Sequence, residues 1–310
     1  MGLKKYPVDL SVIVSMMDTG GSNRVIRDEF GLLPTSDLRQ CMVALASNKS
    51  HEVLRQLFTY RYNLGTGISG MTFGNLFMAA LTDIYSSQKE AIKKTCEILD
   101  VEGKILPVTY DSVHLVAKYD DGSQVLGEHF IDEPLEGGKR ITKLSLLPKA
   151  KPNKEALDAI KNADLIVLGP GDLYTSVICN LVVDQIASDI KKSKAKKVYI
   201  MNLMTRFGQT DNFKASDHVS EIEKYLGKGT IDFVLVNKSK KLSEEITNRY
   251  KEEKAYLVKD DMRNSVKPKV IRQNLISKEV FDKTKSDTLK RSLIRHDSSI
   301  LAEEIFQLLT

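Results

Sequence analysis

The sequence predicts an α/β fold: a mostly parallel sheet with helices on both faces, and a small β-rich insertion at 104–147. Three observations carry this reading. Short apolar, β-branched runs alternate with longer stretches whose apolar residues recur every three or four positions, as strands separated by amphipathic helices do. Strands separated by helices of this length pair in parallel through right-handed crossovers. Glycine-rich turns directly follow several of the apolar runs, where such sheets open their binding crevices.

The elements follow in order. Residues 8–17 (VDLSVIVSMM) are β-branched and read as a buried strand. The turn DTGGSN at 18–23 leads into a short helix, RVIRDEFG. SDLRQCMVALA at 36–46 opens on serine and spaces Leu38, Cys41, Met42 and Leu45 helically. Residues 51–62, 72–85 and 89–99 read as three more helices, the last stopped by Gly103. In the insertion, SVHLVAKY and SQVLGEHFI read as strands around the hairpin signal DDG, with ITKLSLLP as a third. The body resumes with a helix at 153–163, the strand DLIVLG, a helix at 175–190 and a strand at 197–203. A helix at 217–226, a strand at 232–237, a helix at 242–254, the strand AYLVKD and a last helix, SSILAEEIFQLL, complete the order.

Composition bounds the function. The 310 residues suit one large α/β domain, read here as a single unit over 1–310, and 42% hydrophobic with 28% charged residues is ordinary for a globular protein. A net charge of +5 is too mild to imply nucleic acid. The lysines of KKSKAKK (191–197) read more readily as the solvated end of a helix than as a binding patch. Cys41, Cys96 and Cys179 are dispersed, which fits a reducing compartment, and neither they nor the five histidines show metal-ligand spacing. No apolar run approaches the roughly 20 residues of a membrane span. A cytoplasmic location is therefore expected, and a homo-oligomer is compatible with the sequence.

Three segments are candidate binding turns. In DTGGSN, Gly20 and Gly21 allow close backbone approach, Ser22 or Asn23 could cap the helix, and Asp18 could accept from a ribose or amide. In GPGDLYTSVICN, Gly169 and Gly171 clear space and Thr175 or Ser176 is read as the next helix cap, with Tyr174 and Asn180 close by. This is neither a GxGxxG nor a Walker pattern, and either turn could serve only to change chain direction. The third segment, 202–218, is long and polar and offers Asn202, Thr205 and Thr210. Asp217 and His218 in the next helix start suit a metal or acid–base role, or simply a cap with a chance histidine. Arg39 could hold a phosphate or pair with Asp37. The glycine beside Asn75, early in a helix, points to close packing or a nearby ligand.

The series DTGGS, SDLRQCMVALA, FGNLFMAAL, VHLVAKYDDGSQVLGE, ADLIVLGPGDLYTSV, VYIMNLMTRFGQTDNFKASDH and IRHD, in this order, resembles the CofD/YvcK family over about 8–308. That resemblance implies a Rossmann-like α/β body. It also implies one of two activities. The gluconeogenesis-factor branch binds UDP-sugars such as UDP-N-acetylglucosamine and regulates central carbon metabolism and cell shape. The CofD branch is a transferase that moves a phospholactate- or phosphoenolpyruvate-type group from a guanosine diphosphate conjugate to the deazaflavin Fo, with Mg2+. The hairpin insertion and IRHD look like the first branch. By that resemblance Arg295 and Tyr256 would contact the sugar nucleotide, which would lie over Gly20, Gly21, Gly169, Gly171 and the 202–210 loop; Ser22, Arg39, Asn75 and Asn180 join its candidate surroundings. As departures, the family's opening strand and glycine-rich loop have no counterpart before MGLKKYPVDL, and Asp172 and Cys179 replace a usual serine and proline. Asp172 is read as facing solvent. A ligand-free domain acting through partners is the third reading.

Overall fold

The computed structural model describes residues 2–47, 52–239, 242–264, 267–278 and 292–309. Two parallel sheets and one antiparallel sheet form its frame. Strand β1 (Ser11–Val14) pairs in parallel with β2 (Lys104–Pro107). Strands β3 (His114–Tyr119), β4 (Gln124–Leu126) and β5 (Ile141–Leu147) form the antiparallel sheet in the order β4-β3-β5. Strands β6 (Leu165–Leu168), β7 (Lys196–Ile200), β8 (Phe233–Asn237) and β9 (Lys269–Gln273) form a four-stranded parallel sheet in sequence order.

Between β1 and β2 lie α1 (Gly21–Phe30), α2 (Ser36–Leu45), α3 (Glu52–Thr59), α4 (Phe73–Tyr85) and α5 (Gln88–Ile98). Helix α6 (Glu128–Asp132) follows the hairpin, and α7 (Lys154–Asn162) leads to β6. After β6 come a π-helical turn (Leu173–Ile178), the short α8 (Cys179–Leu181) and α9 (Ile186–Lys192). Helices α10 (Ala215–Leu226), α11 (Glu244–Glu252) and α12 (Ser298–Gln307) complete the described chain.

Alternation along the strands decides which face meets which helix. Val198, Ile200 and Leu235 pack under Leu301 and Ile305 of α12. Their neighbours Tyr199, Val234 and Val236 face the opposite way, into a core with Ile190 of α9 and Val219 and Ile222 of α10. The four-stranded sheet is thus covered on both faces, as its apolar strands require.

Four expectations need correction. The strand read at SQVLGEHFI ends at Leu126, because Gly127 turns at φ 103° and Glu128–Asp132 coils into α6. The helix read at 175–190 is the π-helical turn and two short helices, with Gln185 at φ 68° between them. AYLVKD contributes only isolated bridges, Leu257 to Met204 and Lys259 to Lys214, and the edge strand is Lys269–Gln273 instead. Of the 104–147 stretch, Lys104–Pro107 pairs with β1 and the antiparallel sheet begins at His114.

Gly74 in α4 is a packing glycine. A Cβ there would lie 2.5 Å from Arg39 Cδ and 2.9 Å from the Phe58 carbonyl oxygen. Gly74→Ala is therefore expected to cost about 1–3 kcal/mol of stability through overpacking. Urea denaturation checks this, and an unchanged midpoint would show that α2, α3 and α4 can move apart.

Candidate acidic crevice at the strand ends

The bends leaving β1, β6 and β7 meet at one rim, stitched by side chains. Asn202 Nδ2 donates to the Gly171 carbonyl at 2.7 Å, tying the loop after β7 to the glycine–proline turn after β6. Helix α6 spans the rest. Its Glu128 accepts a long hydrogen bond from the Thr19 N–H (3.4 Å), and its His129 N–H donates to Thr19 Oγ1 at 3.0 Å. One turn later Asp132 accepts from Arg206 (2.7 Å), Gln209 (3.0 Å) and Thr175 (3.4 Å).

These contacts answer what the turns hold. The donors best placed for an anion already face carboxylates of the same chain. Asp18 accepts the Gly20 N–H at 2.8 Å through one oxygen and Asn23 Nδ2 through the other. Glu128 sits on Thr19, and Asp132 sits on Arg206 and Gln209. At Gly171 a Cβ would come 2.8 Å from Ser176 Cβ, so glycine lets the turn close on its own helix.

Burial sets the electrostatics of the rim. It pushes the Glu128 carboxyl up to about 9, with Asp18 and Asp132 adding to the effect. Asp37 is pushed up to about 7, again chiefly by burial, with Asp18, Asp132 and Asp172 opposing its ionisation. Asp18 and Asp172 are raised for the same first reason. Asp172 has Arg206 and Asp132 as its charged neighbours, so it belongs to the crevice and its reading as a solvent-facing acid is corrected. The carboxyls share one low-dielectric space, where like charges disfavour further ionisation.

The remaining sequence candidates divide by depth. Ser22, Asn75 and Arg39 form an interior knot beneath α1, α2 and α4. Asn75 donates to Ser22 Oγ (2.9 Å) and Ser36 Oγ (3.1 Å), and accepts from Arg39 Nε (3.2 Å). Arg39, 4% exposed, also donates to the Phe58 carbonyl (3.0 Å), so two of its guanidinium nitrogens are engaged in the interior. Gly20 is the N-cap of α1 and Gly21 its first residue, while Asn23 braces the Thr35 and Ser36 amides instead of capping. Asp172 is the N-cap of the π-helical turn; Thr175 lies inside that turn, and Ser176 accepts Asn180 Nδ2 at its carbonyl (2.8 Å).

Behind the turn lies a second buried set. His218 is fully buried, which pushes its ring down to about 4. Its Nδ1 lies 3.4 Å from Tyr199 Oη, which donates to Asn202 (2.8 Å). Tyr174, also fully buried, lies 3.4 Å from the Ile141 carbonyl. Asp217 caps α10 through the Lys214 N–H (2.9 Å). Thr205 and Tyr256 exchange backbone and side-chain bonds at the edge of the loop (Thr205 N to Tyr256 O, 2.7 Å; Tyr256 N to Thr205 Oγ1, 3.0 Å), and Thr210 Oγ1 accepts the Arg206 N–H. Tyr256 is 53% exposed and Arg295 half-buried beside His296, which bonds the Met201 carbonyl.

Sequence reasoning missed Glu128, Asp132, Arg206 and Gln209. The signal was the one-turn spacing of Glu128 and Asp132, hidden by reading their segment as a strand. Both Asp18 oxygens and the Asp132 carboxylate are taken by donors, and among the described residues no group of three or more metal-type side chains could hold a metal ion. No described helix is long and apolar enough to cross a membrane.

Comparison with known proteins follows the same geometry. The family model described as 2-phospho-L-lactate transferase CofD matches residues 1–276. The gluconeogenesis factor of Bacillus subtilis is 38% identical over 311 residues, covering 99% of this chain and 93% of that protein. The gluconeogenesis factor of Halalkalibacterium halodurans is 42% identical over 255 residues, 82% of this chain and 77% of that one. A crystal structure of a UPF0052 family member from Bacillus halodurans superposes with a TM-score of 0.88 at 37% identity, covering 98% of this chain and 93% of that one. With a Rossmann-like α/β body and this similarity along nearly its whole length, the chain belongs to the CofD family and groups with the gluconeogenesis factors within it.

Proposed function

We propose that the crevice at the ends of β1, β6 and β7 binds a UDP-sugar of the UDP-N-acetylglucosamine class, and that the protein is a ligand-sensing regulator of central carbon metabolism and cell shape. One observation carries the reading: three bends from separate strands converge on one rim, at the carboxyl ends where α/β sheets seat nucleotides. The names of its relatives support the regulatory part. Thr19, Arg206, Gln209 and Thr175 are the donors that a diphosphate would recruit away from α6, and we assign Tyr256 and Arg295 to the sugar.

Thermal denaturation with UDP-N-acetylglucosamine, UDP, GDP and ATP tests this. Ligand at about 100 times its dissociation constant should add roughly 2.7 kcal/mol of stability. Tyr256→Ala should weaken the UDP-sugar shift and leave the ligand-free midpoint nearly unchanged, and Arg295→Ala should weaken the same shift. No shift with any UDP-sugar removes the reading. The family model favours a second one, a CofD-type transfer from a guanosine diphosphate-linked donor to Fo. It predicts magnesium-dependent turnover, which absence of product in that assay would rule out.

A further inference from the structure

A basic cleft opens at the end of the four-stranded sheet opposite the glycine turns. It has a volume of about 360 Å3, is walled by Lys194, Lys196, Lys197, Lys267 and Lys269, and has Asp232 in its lining. Because β7, β8 and β9 are parallel, their amino ends lie together, about 16 Å from the carboxyl ends across a five-residue strand. Two chain segments some 70 residues apart in sequence supply the lysines, and the sheet ladder brings them to the same rim.

Asp232 cancels little of this charge. Its Oδ2 accepts the Lys197 backbone N–H at 2.8 Å, and its Oδ1 pairs with Lys267 at 2.8 Å. Lys196 Nζ donates to the Leu308 carbonyl (2.7 Å) and Lys197 Nζ to the Ser193 carbonyl, partners that orient an ammonium without neutralising it. Neither Lys194 nor Lys269 takes part in an ion pair among the described residues. Five lysines stand against one carboxylate here, in a chain whose net charge is only +5. Most of the excess charge is thus concentrated in one concavity, where mutual repulsion costs stability unless an anion relieves it.

We propose that this cleft is a second ligand site, separate from the nucleotide crevice, for a small anion carrying two or more phosphate groups. Lysine ammoniums bind phosphate as point charges with three rotatable donors. The volume suits a compact ligand rather than an extended chain. A single phosphate would meet only part of the lysine ring.

Titration calorimetry on the full chain, with pyrophosphate and tripolyphosphate as probes, tests the proposal. Saturable binding is expected, stronger for tripolyphosphate and weakened by salt. Lys194→Glu with Lys269→Glu should lose at least tenfold in affinity. Lys118→Glu with Lys143→Glu, the same charge change on the exposed face of the antiparallel sheet, should lose less than threefold. Neither variant should lose thermal stability, and both should keep the wild-type response to UDP-sugar, so failure of the nucleotide reading leaves this test standing. Absence of saturable binding, equal losses in the two variants, or tighter binding of a poly-glutamate peptide than of tripolyphosphate would overturn it.

Discussion

Glu128→Gln is expected to stabilise the protein at pH 8 and to leave it unchanged near pH 4. In the folded chain the Glu128 carboxyl titrates near 9, raised first by burial and then by Asp18 and Asp132. In the unfolded chain it titrates near 4.3. Below that lower value both states hold the proton and nothing is lost. As pH rises, the unfolded chain ionises freely while the folded one keeps its proton, so stability falls toward pH 9. Asp37, raised to about 7, adds to the same slope between about pH 4 and pH 7. Glutamine keeps an oxygen for the Thr19 amide and removes the Glu128 contribution. Water penetration and relaxation reduce the full linkage value, leaving a gain of about 2–3 kcal/mol at pH 8. Urea melts of both proteins at pH 5, 7 and 8 measure it. Parallel pH profiles for variant and wild type would show that Glu128 is ionised in the folded state.

The same substitution bears on ligand entry. A diphosphate must displace Glu128 and Asp132 from their donors and then sit among carboxyls. Glu128 is already neutral in the folded chain at neutral pH and glutamine still accepts from the Thr19 amide, so the substitution should leave UDP-sugar affinity within about threefold of wild type. Thermal-shift titration reads this directly, and a larger loss in the variant would mean that Glu128 contacts the ligand.

Arg39→Met is expected to destabilise the protein by about 3 kcal/mol at neutral pH. Methionine fills much of the same volume but leaves the Asn75 carbonyl and the Phe58 carbonyl without their buried donor. The guanidinium is also a positive neighbour that lowers the Asp37 carboxyl, so its loss pushes that carboxyl further up. UDP-sugar affinity per folded molecule should change little, because two of the Arg39 guanidinium nitrogens are engaged in the interior. Denaturant melts give the stability loss and calorimetry the affinity. Lost binding with an unchanged midpoint would restore Arg39 to the phosphate site.

Much of the frame was readable one residue at a time. The continuous apolar run in KVYIMNL, the helical spacing in SDLRQCMVALA and the serine or aspartate at the start of several helices are local signals, and the described elements α2, α4, β7 and α12 follow them. SQVLGEHFI misled because its first half extends and its second half coils, and nine residues with one glycine do not reveal where the change falls. KVIRQ was passed over because half-buried edge strands alternate weakly, whereas AYLVKD has the right residues and no neighbour to pair with.

The candidate site was legible only in part. That glycine turns follow β1 and β6 is written in the sequence, and so is the family membership, since both rest on residue order. Sequence alone determined the alternating α/β order and the position of the turns, because hydrophobic period and backbone freedom are properties of short segments. Only the tertiary structure decided that Arg39 and Asn75 face inward, that Glu128 and Asp132 lie across the turns, and that two lysine segments share a cleft. Those outcomes depend on contacts between residues tens of positions apart, whose burial and charge are set by what packs around them and not by their neighbours in the chain.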